Sequence, residues 1–93
     1  MPQIDSAATE ADILTDVVAP NQPGFSAETA RAILDLGFND AARQKMGRLA
    51  AKNNQGTLTE AERREMENYV RVGTFLDLLQ AKARVSLQET NPR

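Results

Sequence analysis

Apolar residues recur along this chain at three- and four-residue steps, and no stretch shows the strict alternation of a strand. That spacing lines up side chains on one face of a helix. Ile13, Leu14, Val17 and Val18 mark a short helix over residues 10–18, which Pro20 ends. Asn21-Gln22-Pro23-Gly24 is turn material. Ser26 suits an N-cap, with Glu28 set to favour the dipole of a second helix from Ala27 to about Leu36. Ala30, Ile33 and Leu34 form its inner stripe. Gly37 suits a left-handed stop, with Phe38 folding back onto the helix.

Asn39 caps a third helix whose stripe is Ala42, Met46, Leu49 and Ala50, and Asn53 to Gly56 ends it. Thr59 and Glu62, three residues apart, form a capping box for the last helix. That helix starts at Glu60 and runs to about Leu87, a length of roughly 40 Å. Gly73 in its middle marks a bend or a close helix contact.

The last helix carries the strongest signal. Val70, Val72, Phe75, Leu76, Leu78 and Leu79 spread over an arc of roughly 160–240°, wider than the apolar stripe of an ordinary surface helix. Either short helices wrap around it, or it buries a second face against another chain. The pattern predicts an all-α fold. It is a small helical bundle of three to four helices with a long C-terminal helix, one domain over 10–87, and flexible tails at 1–9 and 88–93. So few ordered residues give a marginal core, and a partner, another copy included, would help.

Composition narrows the function. The 93 residues contain no Cys, His or Trp. No disulfide or thiolate site can form, and the usual general base and zinc ligands are missing. The net charge of −2 does not suggest a nucleic-acid binder. Charge is unevenly placed: residues 1–40 hold seven acids against Arg31, whereas residues 41–58 hold Arg43, Lys45, Arg48 and Lys52 and no acid. The N-terminus lacks a secretory pattern and Tyr69–Leu79 is too short and polar to cross a membrane, so the expected location is the cytoplasm.

Four motifs invite chemistry. Aligned on Gly56, the segment Ala51 to Glu62 has the outline of an EF-hand loop, with Leu58 and Glu62 at their positions. Ala51 stands at the first ligand position, Asn53 and Gln55 carry no charge, and a helix turn with a capping box explains the rest. The turn is therefore EF-hand-like without calcium ligands. Lys45, Arg48 and Lys52 share a helix face with Arg43 near it, the outline of a DNA-reading helix and equally of a solvated face or a site for an acidic protein. No aromatic is interleaved for base stacking. Glu62, Glu65 and Glu67 sit near the start of the last helix, where the dipole accounts for them without catalysis. Lys82 and Arg84 flank the apolar stripe, either snorkelling or rimming a docking groove.

The runs Phe25–Leu34, Gly56-Thr57-Leu58-Thr59-Glu60-Ala61-Glu62, Tyr69-Val70 and Leu79-Gln80-Ala81-Lys82-Ala83-Arg84 resemble a group of small bacterial proteins of unassigned activity. These share a GTLT…E turn followed by a long helix ending in an AKAR-like segment. The resemblance covers most of residues 12–87 and implies genes beside HNH-type nucleases. It thus implies an antitoxin-like, immunity-like or accessory partner of a nuclease, and it brings no catalytic residues. The expected function is a non-enzymatic protein-binding module without cofactor, metal or small-molecule substrate. Val72, Phe75, Leu79, Lys82 and Arg84 are its candidate partner-binding residues. The acids Asp5, Glu10, Asp12 and Asp16 offer a nucleic-acid-mimicking charge to a basic nuclease. The rivals are a nucleic-acid-binding regulator using Arg43, Lys45, Arg48 and Lys52, and a structural homodimer through the Val70–Leu79 face.

Overall fold

The computed structural model describes residues 7–90, the last two by their backbone alone. Four helices follow in order: α1, Glu10–Val18; α2, Ala27–Leu34; α3, Asp40–Gln55; and α4, Glu60–Thr90. The fold is all-α, a small helical bundle, with no strand among the described residues. Asp5, with the rest of residues 1–6, and residues 91–93 of the expected tails lie outside them. Residues 88–90, expected in the C-terminal tail, are the last of α4. That helix has 31 residues and so extends about 46 Å.

Side chains at each start satisfy amide groups that the helix leaves open. The Thr9 hydroxyl accepts from the Asp12 amide, and the Asp12 carboxylate accepts from the Thr9 amide. α1 starts at Glu10 as expected, and its N-cap, Thr9, is the last residue of the expected tail. Ser26 accepts from the Thr29 amide and Asn39 from the Ala42 amide. Thr59 and Glu62 exchange the expected reciprocal bonds. Gly56, at φ 72°, closes α3. Its amide donates to Asn53 and the Thr57 amide to Lys52, the two bonds of a Schellman turn.

The end of α2 departs from expectation. The helix stops at Leu34, capped by Asp35 in a right-handed conformation, and Gly37 takes no positive φ. Phe38, expected to fold back on α2, reaches α4. Its ring meets Tyr69 of α4 edge-on, with centroids 5.9 Å apart, and lies over Gly73. An edge-on aromatic pair of this kind adds to the surface that the ring buries on α4. Gly73 therefore marks a close contact.

Every helix packs on α4, and α1, α2 and α3 do not pack on one another. Arg71 and Tyr69 of α4 point about 160° apart at 100° per residue. Arg71 pairs with Glu10 of α1 at 3.4 Å, while Tyr69 lies on the side of Glu65, which pairs with Lys45 of α3 at 3.0 Å. Thus α1 and α3 lie on opposite sides of α4. α2 joins the α3 side further along, where Gln80 donates to the carbonyls of Ile33 and Leu36.

The result is a thin, spread molecule. Its principal extents are 50 × 45 × 18 Å, and its radius of gyration is 16.9 Å against about 12 Å for a compact chain of this length. Among the described residues the buried apolar ones are Val18, Ala30, Leu49 and Ala83. The stripe expected on α1 is only partly buried: Val18 is inside and Leu14 half-buried, while Ile13 and Val17 face out.

Candidate functional site

With neighbours on two opposite sides only, α4 keeps two broad faces open. Val72 and Leu79 lie within about 20° of one another on the helix, with Phe75 about 60° from Val72. They form the floor of the first face. Glu10, Leu14 and Val17 of α1 wall it on one side, and Phe38 with Tyr69 on the other. The connection between α1 and α2 closes one end with Phe25. Val72 is 55% exposed, Phe75 40%, Ile13 54% and Val17 76%.

The second face lies about 160° around α4 from Val72, at Val70. Here Met66, Val70 and Asp77 of α4 meet Met46, Leu49 and Ala50 of α3 around an apolar groove of about 450 Å³. Val70 is 61% exposed.

Of the five candidate partner-binding residues, the structure brings Val72, Phe75, Leu79 and Lys82 to the first face. Arg84 lies nine positions beyond Phe75 and so about 180° around the helix, away from it. The expected Val70–Leu79 face is likewise divided, because Val70 and Val72 point to opposite sides. Lys82 is part of the scaffold. Its ammonium donates to the carbonyls of Ala19, Gln22 and Pro23 at 3.3–3.4 Å and stands 5.6 Å from the centre of the Phe25 ring. It staples the α1–α2 connection to α4. The buried Ser86 hydroxyl does the same, accepting from the amides of Gly24 and Phe25.

Three of the four basic residues proposed for nucleic acid are engaged within the fold. Arg43 donates to the Phe38 carbonyl and pairs with Asp40. Lys45 pairs with Glu65 and Lys52 with Glu62. Only Arg48 stands without a partner among the described residues. The acids of α1 are also partly committed: Glu10 to Arg71, and Asp12 to the cap. Asp12 and Asp16 each point about 160° away from Leu14 and hence away from α4, forming an acidic outer edge.

Electrostatics at the α3–α4 turn follow from these pairs. The Lys52 ammonium, then the Thr59 amide, hold the Glu62 carboxyl below its ordinary pKa. The Thr9 amide and hydroxyl lower that of Asp12 in the same way. Glu62, the last position of the EF-hand outline, is thus spent on the turn. Among the described residues no group of three or more acids, His or Cys converges on a metal site. Asp77 is the one carboxylate among the residues that line the apolar groove, and Tyr69 lines it as well. Both faces are suited to burying apolar surface of another molecule.

Sequence reasoning missed Val17 and Phe25 as parts of the first face. The four-residue α1 stripe was visible, but a nine-residue helix cannot bury all of it on a single neighbour. Among the described residues, no helix is long and apolar enough to cross a membrane. No family model, curated protein or solved structure matches the chain.

Proposed function

We propose that this chain is a non-enzymatic protein-binding module that presents the two uncovered faces of α4. The observation that carries the reading is the exposure of large apolar side chains on both sides of the longest helix: Val72 and Phe75 on one, Val70 on the other. Contiguous exposed apolar surface of this kind, in a fold without a second layer, marks a contact surface for protein. In its concrete form the module is an antitoxin-like, immunity-like or accessory partner of a nuclease. The outer edge of α1, with Asp12 and Asp16, steers a basic surface toward it.

The test is co-purification from the native host, identification of the bound protein, and reconstitution of the complex from purified components. A one-to-one complex that weakens on Val70→Glu or on Val72→Glu/Phe75→Glu supports the reading. Neutralising Glu10, Asp12 and Asp16 together should slow association and flatten its salt dependence. Recovery of nucleic acid without protein, with affinity falling steeply in salt, would overturn it in favour of a regulator built on α3.

A further inference from the structure

We propose that α1 is a hinged arm that divides the apolar surface of α4, lifting about its connection to α2 to join the two faces into one. This rests on the protein-binding reading and adds the means by which the same surface is controlled.

The arm itself is lightly held. Seven of its nine residues are exposed, Leu14 is half-buried, and Val18 alone is buried. It packs on α4 and on no other helix. Clefts undercut it on both flanks. One, of about 180 Å³, separates Ala11 and Leu14 from Val70 and Thr74 of α4. The other, of about 360 Å³, lies between Leu14 and the pair Val72 and Phe75. The Glu10–Arg71 ion pair is 3.4 Å long with both side chains exposed, a contact of small worth that salt screens. Few buried apolar side chains and sparse packing mark an element that opens on its own. A helix this short holds no structure without its packing face, so its amides become exchangeable together once it lifts.

The connection beyond it is pinned. Ala19 takes a φ of 51°, unfavourable for a residue with a Cβ. Its carbonyl accepts from the Gln22 amide at 3.0 Å and from the Lys82 ammonium at 3.4 Å. The buried Ser86 hydroxyl accepts from the Gly24 and Phe25 amides at 3.2 and 3.1 Å. A weakly packed element that ends on a fixed turn has the form of a hinge.

Position gives the opening its consequence. Arg71 lies about 100° around α4 from both Val70 and Val72. α1, seated at Arg71, therefore stands between the two faces. Lifting it joins Val70 to Phe75, about 140° apart across the covered side, and frees Leu14. A partner that needs the joined face binds in proportion to the lifted fraction, so loosening α1 tightens that complex.

The experiment is residue-resolved amide hydrogen exchange by NMR on the full chain alone. The amides of residues 13–19 should exchange at one common rate, about tenfold faster than those of Gly24, Phe25 and α2. A rate that climbs gradually toward residue 13, which is fraying, overturns the proposal. So does exchange at the rate of α2, or loss of Gly24 and Phe25 protection together with α1. Leu14→Asn should speed the α1 amides further, leave α2 unchanged, and raise the fluorescence of added anilinonaphthalene sulfonate several-fold. Unchanged fluorescence with α1 freely exchanging overturns the joined face. Should the variant cost α2 its protection as well, the wild-type exchange pattern decides alone. No partner enters these measurements, so a failure here leaves the protein-binding reading standing, and a failure to recover a partner leaves the arm.

Discussion

The two halves of α4 are held by different means. Toward its C-terminus, small residues let backbones approach: Ala83 of α4 and Ala30 of α2 are fully buried, and Ser86 and Gln80 bond directly to backbone on and before α2. Toward its N-terminus, α3 leans on one buried side chain, Leu49, and on the pairs Lys45–Glu65 and Lys52–Glu62. Close packing with satisfied backbone groups resists salt and acid. A single anchor with half-exposed ion pairs does not. The α3 end is thus the less firmly anchored part of the bundle, while the α2 end sets the frame.

That contrast can be broken most directly at the anchor. Leu49→Ala should cost about 2–5 kcal/mol in denaturant unfolding, and hydrogen exchange should show α3 losing protection before α2. Equal loss in both helices would contradict the division. Ser86→Ala strikes the other half. Leaving the amides of Gly24 and Phe25 unsatisfied should cost about 1–3 kcal/mol and loosen the connection before α2, with α3 protection retained.

Gly56→Ala forces a side chain into the left-handed region and should lower stability by about 1 kcal/mol, read as a drop in denaturation midpoint. Gly73→Ala has the opposite sign. A Cβ there meets only the Phe38 ring at 3.9 Å, ordinary contact, so the helix gain of about 0.5–1 kcal/mol should raise the midpoint.

The smallest effect is titration. Glu62 has a folded pKa below its unfolded one, so its contribution is fully present above the unfolded value and is lost as pH falls through the folded one. Below a pH of about 4.3, α3 protection should therefore decline before that of α2, and Glu62→Gln should remove the acid-dependent part.

Much of the architecture was legible in the chain because its signals are local. Caps act within three residues, so Ser26, Asn39 and Thr59 announced their helices, and Gly56 its stop. The wide apolar arc on the last helix left two readings, a central helix or a second face against another chain, and in the fold every other helix packs on it. Gly37 misled because the same residue serves as a left-handed cap or an ordinary linker, and the choice was made by Phe38 finding Tyr69. The Thr9–Asp12 box was readable, but Asp in place of Glu at its fourth position, inside a polar segment, made it easy to pass over.

The residues of the docking faces were legible as types and not as a surface. Helical periodicity fixes the angle between Val70 and Val72 without saying which neighbour lies where. Only the tertiary structure placed α1 and α3 on opposite sides of α4, which divided the Val70–Leu79 stretch into two faces. It also carried Arg84 away from Phe75 and committed Lys45 and Lys52 to ion pairs. The sequence alone determined the helices, their caps and the excess of apolar surface. The fold decided which part of that surface stays open, because burial depends on contacts between residues tens of positions apart that no local pattern encodes.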